Sequence, residues 1–282
     1  MKESFYSKSL ENLTFTDDYM FGEVLKDPEL CAGLIERLLK IKVDHIEYPE
    51  LQKSIKPTYE SHGVRFDVYV KDSDKVYDIE MQNKDYSEIL LRSRYYQSMI
   101  DADNLLKGHI YKDLPESFVI FICKNDPFNL GLPCYTFKTS CQETAINDKT
   151  DKTIKLFYNA SAWDKSEDEE LKSFFKFVCS NKAESSFTKT LSQRVRETIN
   201  NEEFISRFMA VNLHDYDIME ESRNEGLAQG RAEGRVAGMA EGAREAKIQT
   251  AKNMLKMKLG SIEQIAQVSG LSIKEVEELA GK

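Results

Sequence analysis

The chain has 282 residues, enough for one large domain with an appendage or for two small domains. Hydrophobic residues make up 41% of the chain and charged residues 31%, a balance typical of a globular protein with a hydrophobic core. The longest strongly apolar run, FVIFIC at residues 118–123, is too short to span a bilayer. A formal net charge of −9 argues against a chain coated with basic surface for nucleic acid.

The N-terminal stretch MKESFYSKSLENL lacks the apolar segment of a secretory signal. The five cysteines form no CxxC pair, and their odd number and irregular spacing indicate reduced thiols and not disulfides or a zinc site. The four histidines are scattered, which disfavours a zinc site or a histidine-based triad. We therefore expect a cytoplasmic protein that does not enter a membrane.

The predicted elements alternate between helices and strands. TFTDDYMFGEVLKD opens a helix near Thr16, and Asp27 caps a second helix that has Pro28 at its first position. A hairpin at residues 64–82 is followed by a long helix, DYSEILLRSRYYQSMIDADNLLKG, which we expect to end at Gly108. FVIFIC, CYTFKTS and TIKLFYN read as strands, and helices follow beyond Trp163. This order predicts an α/β or α+β fold.

The tail contains an internal repeat of glycines at positions 226, 230, 234, 238 and 242. One interpretation is close packing between helices of two subunits, and the other is a semi-flexible linker, because glycine weakens an isolated helix. Residues 223–258 carry eight Lys or Arg against four Glu, a local charge of +4 that leaves −13 on the rest. This charge is compatible with DNA binding but does not require it.

The C-terminal stretch SIEQIAQVSGLSIKEVEELAG predicts a helix–turn–helix, with capping boxes at Ser261 and Ser272 and a turn at Gly270. Its second helix carries one lysine, Lys274, and three glutamates. A DNA-reading helix is instead basic or rich in amides at its start. Assembly or contact with a partner is therefore favoured over groove reading.

The hairpin carries acids along one side. Antiparallel pairing of Lys71 with Val76 leaves residues 72–75 as a loop. It also puts the apolar residues of both strands on the same face, where the first strand contributes Val64, Phe66, Val68 and Val70. This register places Asp67 opposite Glu80 and Arg65 opposite Gln82. Opposed carboxylates repel unless one is protonated or a cation lies between them, so the pair suggests a divalent metal site. The alternative is a solvated polar face on an ordinary hairpin.

The helix after the hairpin carries Arg92, Arg94, Tyr95 and Gln97 close together. A positive side chain beside a metal-bound phosphate would orient the scissile group and offset developing charge. The alternative is an exposed helix face held by salt bridges.

These features together resemble the PD-(D/E)XK nuclease superfamily, and more closely the Rpn-type recombination-promoting nucleases, also described as putative transposases. The motifs that carry the resemblance run from about Thr14 to Asp126: FTDDYMFGEVLKDPELC, GVRFDVYVKD, YDIEMQ, RSRYYQSMID and LPESFVIFIC. The resemblance implies an α/β fold with a mixed central sheet flanked by helices and followed by an all-helical C-terminal region. It also implies endonucleolytic cleavage of double-stranded DNA with Mg²⁺, or with Mn²⁺ or Ca²⁺ in its place, and a link to recombination, mobile elements or defence.

Carried onto this sequence, the resemblance assigns Asp67 and Glu80 as metal ligands. Gln82 stands where the wider superfamily has Lys; an amide does not exchange protons as Lys does, so Gln82 would orient the attacking water by hydrogen bonding. Arg94 and Tyr95 match the family's Arg-Tyr pair, with Arg94 steadying phosphate. Lys84 is a further candidate for the missing positive charge.

Glu23 is a possible additional acid from the first helix, although acids near a helix start are also favoured by the helix dipole. The domains expected are a nuclease core at 1–165, a helical extension at 166–222, a glycine-repeat linker at 223–247 and a helix–turn–helix-like tail at 248–282. The tail would assemble subunits or contact DNA, and a homo-oligomer is expected because cutting two strands needs two active sites.

Two other functions stay open at the level of sequence. One is a nuclease-fold module that binds DNA or regulates a partner but cuts poorly, favoured by Gln82 and by the net acidity. The other is a structural protein whose coiled tail is the working part.

Overall fold

The computed structural model describes residues 10–43, 46, 49–51, 53–55, 63–84, 87–144 and 151–281. The chain divides into two compact units, Met1–Ala210 and Val211–Lys282. The first unit holds the sheet and the acids, and the second holds the glycine repeat and the C-terminal helices.

A mixed sheet forms the centre of the first unit. Six strands of the described residues lie in the order β1-β4-β5-β6-β8-β7: β1 Glu50–Leu51, β4 Val68–Asp72, β5 Lys75–Gln82, β6 Glu116–Cys123, β7 Cys134–Phe137 and β8 Thr153–Asn159. β5, β6 and β8 are parallel, while β4 and β7 run antiparallel to their neighbours. Two further strands, β2 Ser54–Ile55 and β3 Val64–Arg65, pair separately.

Helices cover both faces of this sheet. One face packs against α1 Asp18–Leu25, α2 Pro28–Leu39, α4 Glu169–Ser180, α5 Ser186–Ile199 and the first turns of α6 Glu202–Met257. The other face packs against α3 Ile89–Asn104. Strand β6 shows why FVIFIC is apolar throughout, because Ile120 and Ile122 face the first set of helices whereas Val119 and Phe121 face α3. The fold is thus a helix–sheet–helix α/β arrangement with a helical C-terminal region, as predicted.

Several local predictions are confirmed. Asp27 caps α2 by accepting hydrogen bonds from the backbone N–H groups of Glu29 and Leu30, and Pro28 is the first helical residue. The predicted end of α3 at Gly108 is wrong. The helix ends at Asn104 because Leu105 leaves helical geometry, with φ −101° and ψ 81°.

The helices beyond Trp163 contribute to the same hydrophobic core as the sheet. Phe174, Phe177 and Leu191 are buried together with Val68 and Ile79 of the hairpin. The first compact unit therefore extends to residue 210, beyond the nuclease core expected at 1–165.

In the second unit, α6 continues through the glycine repeat, followed by α7 Ile262–Ser269 and α8 Ile273–Leu279. Both predicted capping boxes are present, with Ser261 and Gln264 at α7 and Ser272 and Glu275 at α8. Gly270 ends α7 with a positive φ of 70°, which an L side chain rarely adopts. Ala251, Ile265, Ala266 and Val276 form the small core of these helices.

Candidate active site

The hairpin forms in the predicted register. Lys71 pairs with Val76, and Val68 pairs with Ile79. The turn is tighter than the four-residue loop expected, because Asp72 also pairs with Lys75 and leaves only Ser73 and Asp74 between the strands. Ser73 has a positive φ of 49°, a conformation common at the first residue of a two-residue hairpin turn.

The first hairpin strand is interrupted just before Asp67. Arg65 pairs with Ser54 of β2, so the predicted pairing of Arg65 with Gln82 is wrong. The interruption also turns the chain over. Val64 and Phe66 belong to the core under α3, whereas Val68 and Val70 face the opposite side, which corrects the prediction of one shared face. The backbone of Phe66 is hydrogen-bonded to the segment that leads into β2 and not to β5. Its N–H donates to the carbonyl of Lys53 at 3.0 Å.

At the interruption, two hydrogen bonds in opposite directions join Asp67 to residues 80 and 81 of β5. The backbone N–H of Asp67 donates to Oε1 of Glu80 at 2.8 Å. The backbone N–H of Met81 donates to Oδ2 of Asp67 at 3.1 Å. The two predicted acids are therefore neighbours, each carboxylate held by the backbone of the other strand.

The acid-bearing face of β5 is not a solvated polar face. Asp78 is 0% exposed, Glu80 1% and Gln82 7%. The alternative interpretation of the hairpin as an ordinary soluble surface is therefore wrong. α3 covers this face of the sheet, so the acids lie in an interior that penalises charge.

Burial raises the pKa values of Asp67, Asp78 and Glu80. The pKa of Asp67 rises to about 8, first through burial and then through the neighbouring charge of Glu80. Burial also raises the pKa of Glu80, although the Asp67 N–H and Arg92 act in the opposite direction. The pKa of Asp78 lies well above its ordinary value because of burial and the charges of Glu80 and Asp67.

The surroundings of Asp78 favour its protonated form, because burial raises its pKa. Neither of its carboxylate oxygens accepts a hydrogen bond within the described part of the chain. Its carboxyl interacts with that of Glu80. A neutral Asp78 can donate its proton to Glu80, whereas an ionised one would be a buried, unpaired charge.

Arg92 of α3 is the cation at this site. Its Nη2 donates to Oε2 of Glu80 at 2.9 Å, and its Nη1 donates to Oε1 of Gln82 at 2.7 Å. Nε and Nη2 also donate to the hydroxyl of Tyr96 at 3.1 and 2.9 Å. One guanidinium group thus connects two predicted site residues to a tyrosine one helical turn further on.

The structure does not bring Arg94 to the acids. Arg94 lies on the exposed side of α3, and Tyr95 is half-buried against the core beneath the helix. The roles predicted for Arg94 and Tyr95 stay predictions. Arg92 and Tyr96 take the positions beside Glu80, and their spacing of four residues, which places two side chains on one helix face, is the signal that could have selected them.

Glu23 has a partner away from the acid pair. Arg207 near the start of α6 contacts both of its carboxylate oxygens, at 3.1 and 2.9 Å, and Lys26 lies 3.8 Å from one of them. The described contacts of Glu23 thus belong to an ion pair between α1 and α6. Its possible part in catalysis stays a prediction.

Gln82 and Lys84 lie where β5 ends. The side-chain N–H of Gln82 donates to the carbonyl of Lys84 at 2.8 Å, and the Lys84 side chain is exposed. Both line a cavity of about 460 Å³ beside the carboxyl ends of β5 and β6, together with residues that include Ser87, Ile89, Asn125 and Asn129. Ligands of open α/β sheets commonly bind at this edge.

Sequence reasoning missed Asp18 at the start of α1. Its charge contributes to the raised pKa of Asp67, so it belongs to the same electrostatic site. Burial raises the pKa of Asp18, opposed by Arg65 and, more weakly, by Arg92. Asn83 ties this helix start to the end of β5 by donating to the carbonyl of Thr16.

The acid pair suits a hard divalent cation in the chemistry of its donors. No group of three or more His, Cys, Asp or Glu side chains in the described ranges is placed to hold a metal ion. Mg²⁺ needs fewer protein ligands, since one or two carboxylates with water and phosphate oxygens suffice. In Asp67 and Glu80 two carboxylates lie together, and within the described residues Oδ1 of Asp67 accepts no hydrogen bond.

A mixed sheet between helices, with two acids paired at the end of the hairpin away from its turn, is the arrangement expected of a PD-(D/E)XK nuclease. The model of the PD-(D/E)XK nuclease family transposases matches residues 15–206, about two thirds of the chain. The chain belongs to this family, as its motifs predicted. No curated protein and no solved structure matches it. Among the described helices, none combines the length and apolar character needed to cross a membrane.

Proposed function

We propose that this protein is a metal-dependent endonuclease that hydrolyses the phosphodiester backbone of double-stranded DNA. The observation that carries the proposal is the pair of the half-buried Asp67 and the buried Glu80, in which each carboxylate accepts a backbone N–H from the opposite strand and Arg92 contacts Glu80. Membership of the nuclease family supports the same chemistry. The role in recombination, mobile elements or defence, and a cytoplasmic location, stay predictions.

Asp67 and Glu80 would hold the divalent metal, with Mg²⁺ the expected ion and Mn²⁺ or Ca²⁺ as substitutes. Such a metal lowers the pKa of water and neutralises charge on phosphate oxygens. Gln82, which lines the cavity at the end of β5, would orient a water by hydrogen bonding. Arg94, on the exposed side of α3, is predicted to contact the DNA phosphates.

The assembly predicted from the tail belongs to the same proposal. Among the described residues, no side chain other than those of the chain neighbours, and no backbone outside the same stretch of helix, lies within 4 Å of the position that a Cβ would take at any of the five repeat glycines. This stretch of α6 therefore presents open surface along its length. We propose that it joins two copies of the chain, which would supply one active site for each DNA strand.

Cleavage of supercoiled plasmid tests the proposed function. We expect nicking with Mg²⁺ or Mn²⁺ and none with EDTA, and a loss of more than about 100-fold in Asp67→Asn and Glu80→Gln. Asp103→Asn is the matched control, because Asp103 is paired with Lys53 at 2.9 Å and is no part of the acid pair. Equal cleavage by all variants would place the activity elsewhere or in a contaminant.

One observation favours the second candidate, a nuclease-fold module that binds DNA but cuts poorly. Both ends of the Gln82 amide are already engaged, by the Lys84 carbonyl and by Arg92. DNA binding by the folded protein without cleavage in any metal would favour this module. Truncation at about residue 222 tests the tail: retained cleavage would make the tail accessory and would exclude a purely structural protein.

A further inference from the structure

Arg92 stands between a buried acid and the solvent. Its side chain is 33% exposed, whereas that of Glu80 is 1% exposed. A cation or phosphate that approaches Glu80 from solution along this side therefore meets the guanidinium first. The position of Arg92 makes it part of the entrance to the proposed metal site and not only part of its wall.

Arg92 also donates a hydrogen bond to a carboxylate oxygen of Glu80 that a metal would use. Oε1 of Glu80 accepts the N–H of Asp67, and Oε2 accepts Nη2 of Arg92. A divalent cation bound at Oε2 would lie close to the positive guanidinium, and like charges repel strongly where water is excluded. Cation and guanidinium therefore compete for the same carboxylate oxygen.

The guanidinium has a second anchor that does not involve Glu80. The hydroxyl of Tyr96 accepts from both Nε and Nη2, and the guanidinium carbon lies 5.1 Å from the Tyr96 ring centre and 5.4 Å from that of Phe121. These contacts retain the side chain at the site when the bond to Glu80 is lost. A planar group with five donors can make this exchange, whereas the single ammonium of a lysine makes fewer contacts at once.

We propose that Arg92 is an exchangeable counter-charge. In the metal-free protein it holds Glu80 and Gln82; when a divalent cation binds, it gives up Glu80, stays on Tyr96 and binds a phosphate of the DNA. The inference rests on the proposed function, since it assumes that Glu80 holds the metal. It assigns Arg92 a positioning role that couples metal binding to DNA binding.

Two binding measurements on the full-length protein test the exchange. Calorimetric titration with Ca²⁺ at pH 8.5 compares wild type with Arg92→Gln, Arg92→Lys and the matched control Arg37→Gln, since Arg37 pairs with Glu170 at 3.1 Å and not with the acid pair. Fluorescence anisotropy then measures the affinity for a labelled DNA duplex with Ca²⁺ and with EDTA, and a gel checks that the duplex is intact. Circular dichroism confirms that each variant is folded.

We expect Arg92→Gln to bind Ca²⁺ about tenfold more tightly, because a hydrogen bond between two charged groups no longer competes. The same variant should lose most of the increase in DNA affinity that Ca²⁺ gives to wild type. Arg92→Lys should lie between the two, and Arg37→Gln should match wild type in both measurements.

Three outcomes would overturn parts of this reasoning, and they are distinct. Ca²⁺ affinity in Arg92→Gln that equals or falls below that of wild type from pH 7 to 9 would reject the exchange and make Arg92 a structural support. Unchanged Ca²⁺-dependent DNA binding in that variant would reject the phosphate contact. Ca²⁺ binding that is absent in wild type, or that survives Glu80→Gln, would instead reject the proposed metal site itself.

Discussion

Replacing Asp67 by Asn should stabilise the metal-free protein. Burial and the charge of Glu80 raise the pKa of Asp67 from 3.8 to about 8, so the folded chain binds this proton more tightly than the unfolded chain. A group of this kind favours folding at low pH, and its contribution is lost as the pH rises from about 4 to about 8. At pH 8 the wild-type site therefore carries a penalty that a neutral amide of the same shape does not.

The size of the effect follows from the shift in pKa. At about 1.4 kcal/mol for each pH unit, the full shift corresponds to an upper limit of about 6 kcal/mol. Asp67 is only partly buried by its surface exposure and shares its field with Glu80, so we expect about 2 kcal/mol at pH 8. For a unit of this size, that free energy raises the melting temperature by about 4–8 °C.

Thermal unfolding in EDTA, followed by circular dichroism from pH 5 to 8.5, measures this difference. The control is Asp103→Asn. Burial alone would raise the pKa of Asp103, but its hydrogen bond to Lys53 and the charge of Lys53 hold that pKa below its ordinary value. The stabilising contribution of Asp103 is fully present at neutral pH, so its loss should lower the melting temperature. The reasoning is refuted if Asp67→Asn melts at or below the wild-type temperature at pH 8.

Three further predictions concern other parts of the chain. Glu23→Gln should lower stability by about 1 kcal/mol through loss of the Arg207 pair, while cleavage per folded molecule is unchanged; a loss of cleavage larger than the loss of folded protein would restore Glu23 to the active site. Burial raises the pKa of Cys31 to about 12, so iodoacetamide should label the exposed Cys141 and leave Cys31 intact in the native protein, as peptide mass spectrometry would show. Gly270→Ala should destabilise the C-terminal helices by about 1 kcal/mol, because it forces an L residue to a φ of 70°; hydrogen exchange at α7 and α8 measures this, and unaltered protection would contradict it.

The hairpin and its acid pair could be predicted because the information is local. Alternating apolar residues on the two strands permit one compact register, and the turn between Asp72 and Lys75 fixes it. The interruption at Phe66 depends instead on pairing of Arg65 with Ser54, a contact between separate parts of the chain. Nothing in the alternation of VRFDVYV signals that the strand turns over within it.

Whether Arg92 or Arg94 faces the acids depends on how α3 is rotated about its axis. The sequence pattern of α3 does not reveal this rotation. Leu90 and Leu91 are apolar yet 42% and 52% exposed, whereas the polar Ser93 and Gln97 are buried. Gln97 satisfies its amide N–H groups by donating to Ser117 on β6 and to Asp101 on its own helix. The face of α3 that packs on this sheet carries these polar residues beside the buried Ile89, Met99 and Ile100, so hydrophobic periodicity alone does not identify it.

The buried acids also explain why an arginine is needed at the metal-free site. Asp67, Asp78 and Glu80 lie beneath one helix, and three ionised carboxylates there would destabilise the fold. Protonation of Asp78 and the guanidinium of Arg92 would offset two of these three charges without closing the site, since Arg92 still faces solvent in part. A neutral hydrophobic cover over β5 would stabilise the sheet better, but it would leave no charge that a metal ion could displace.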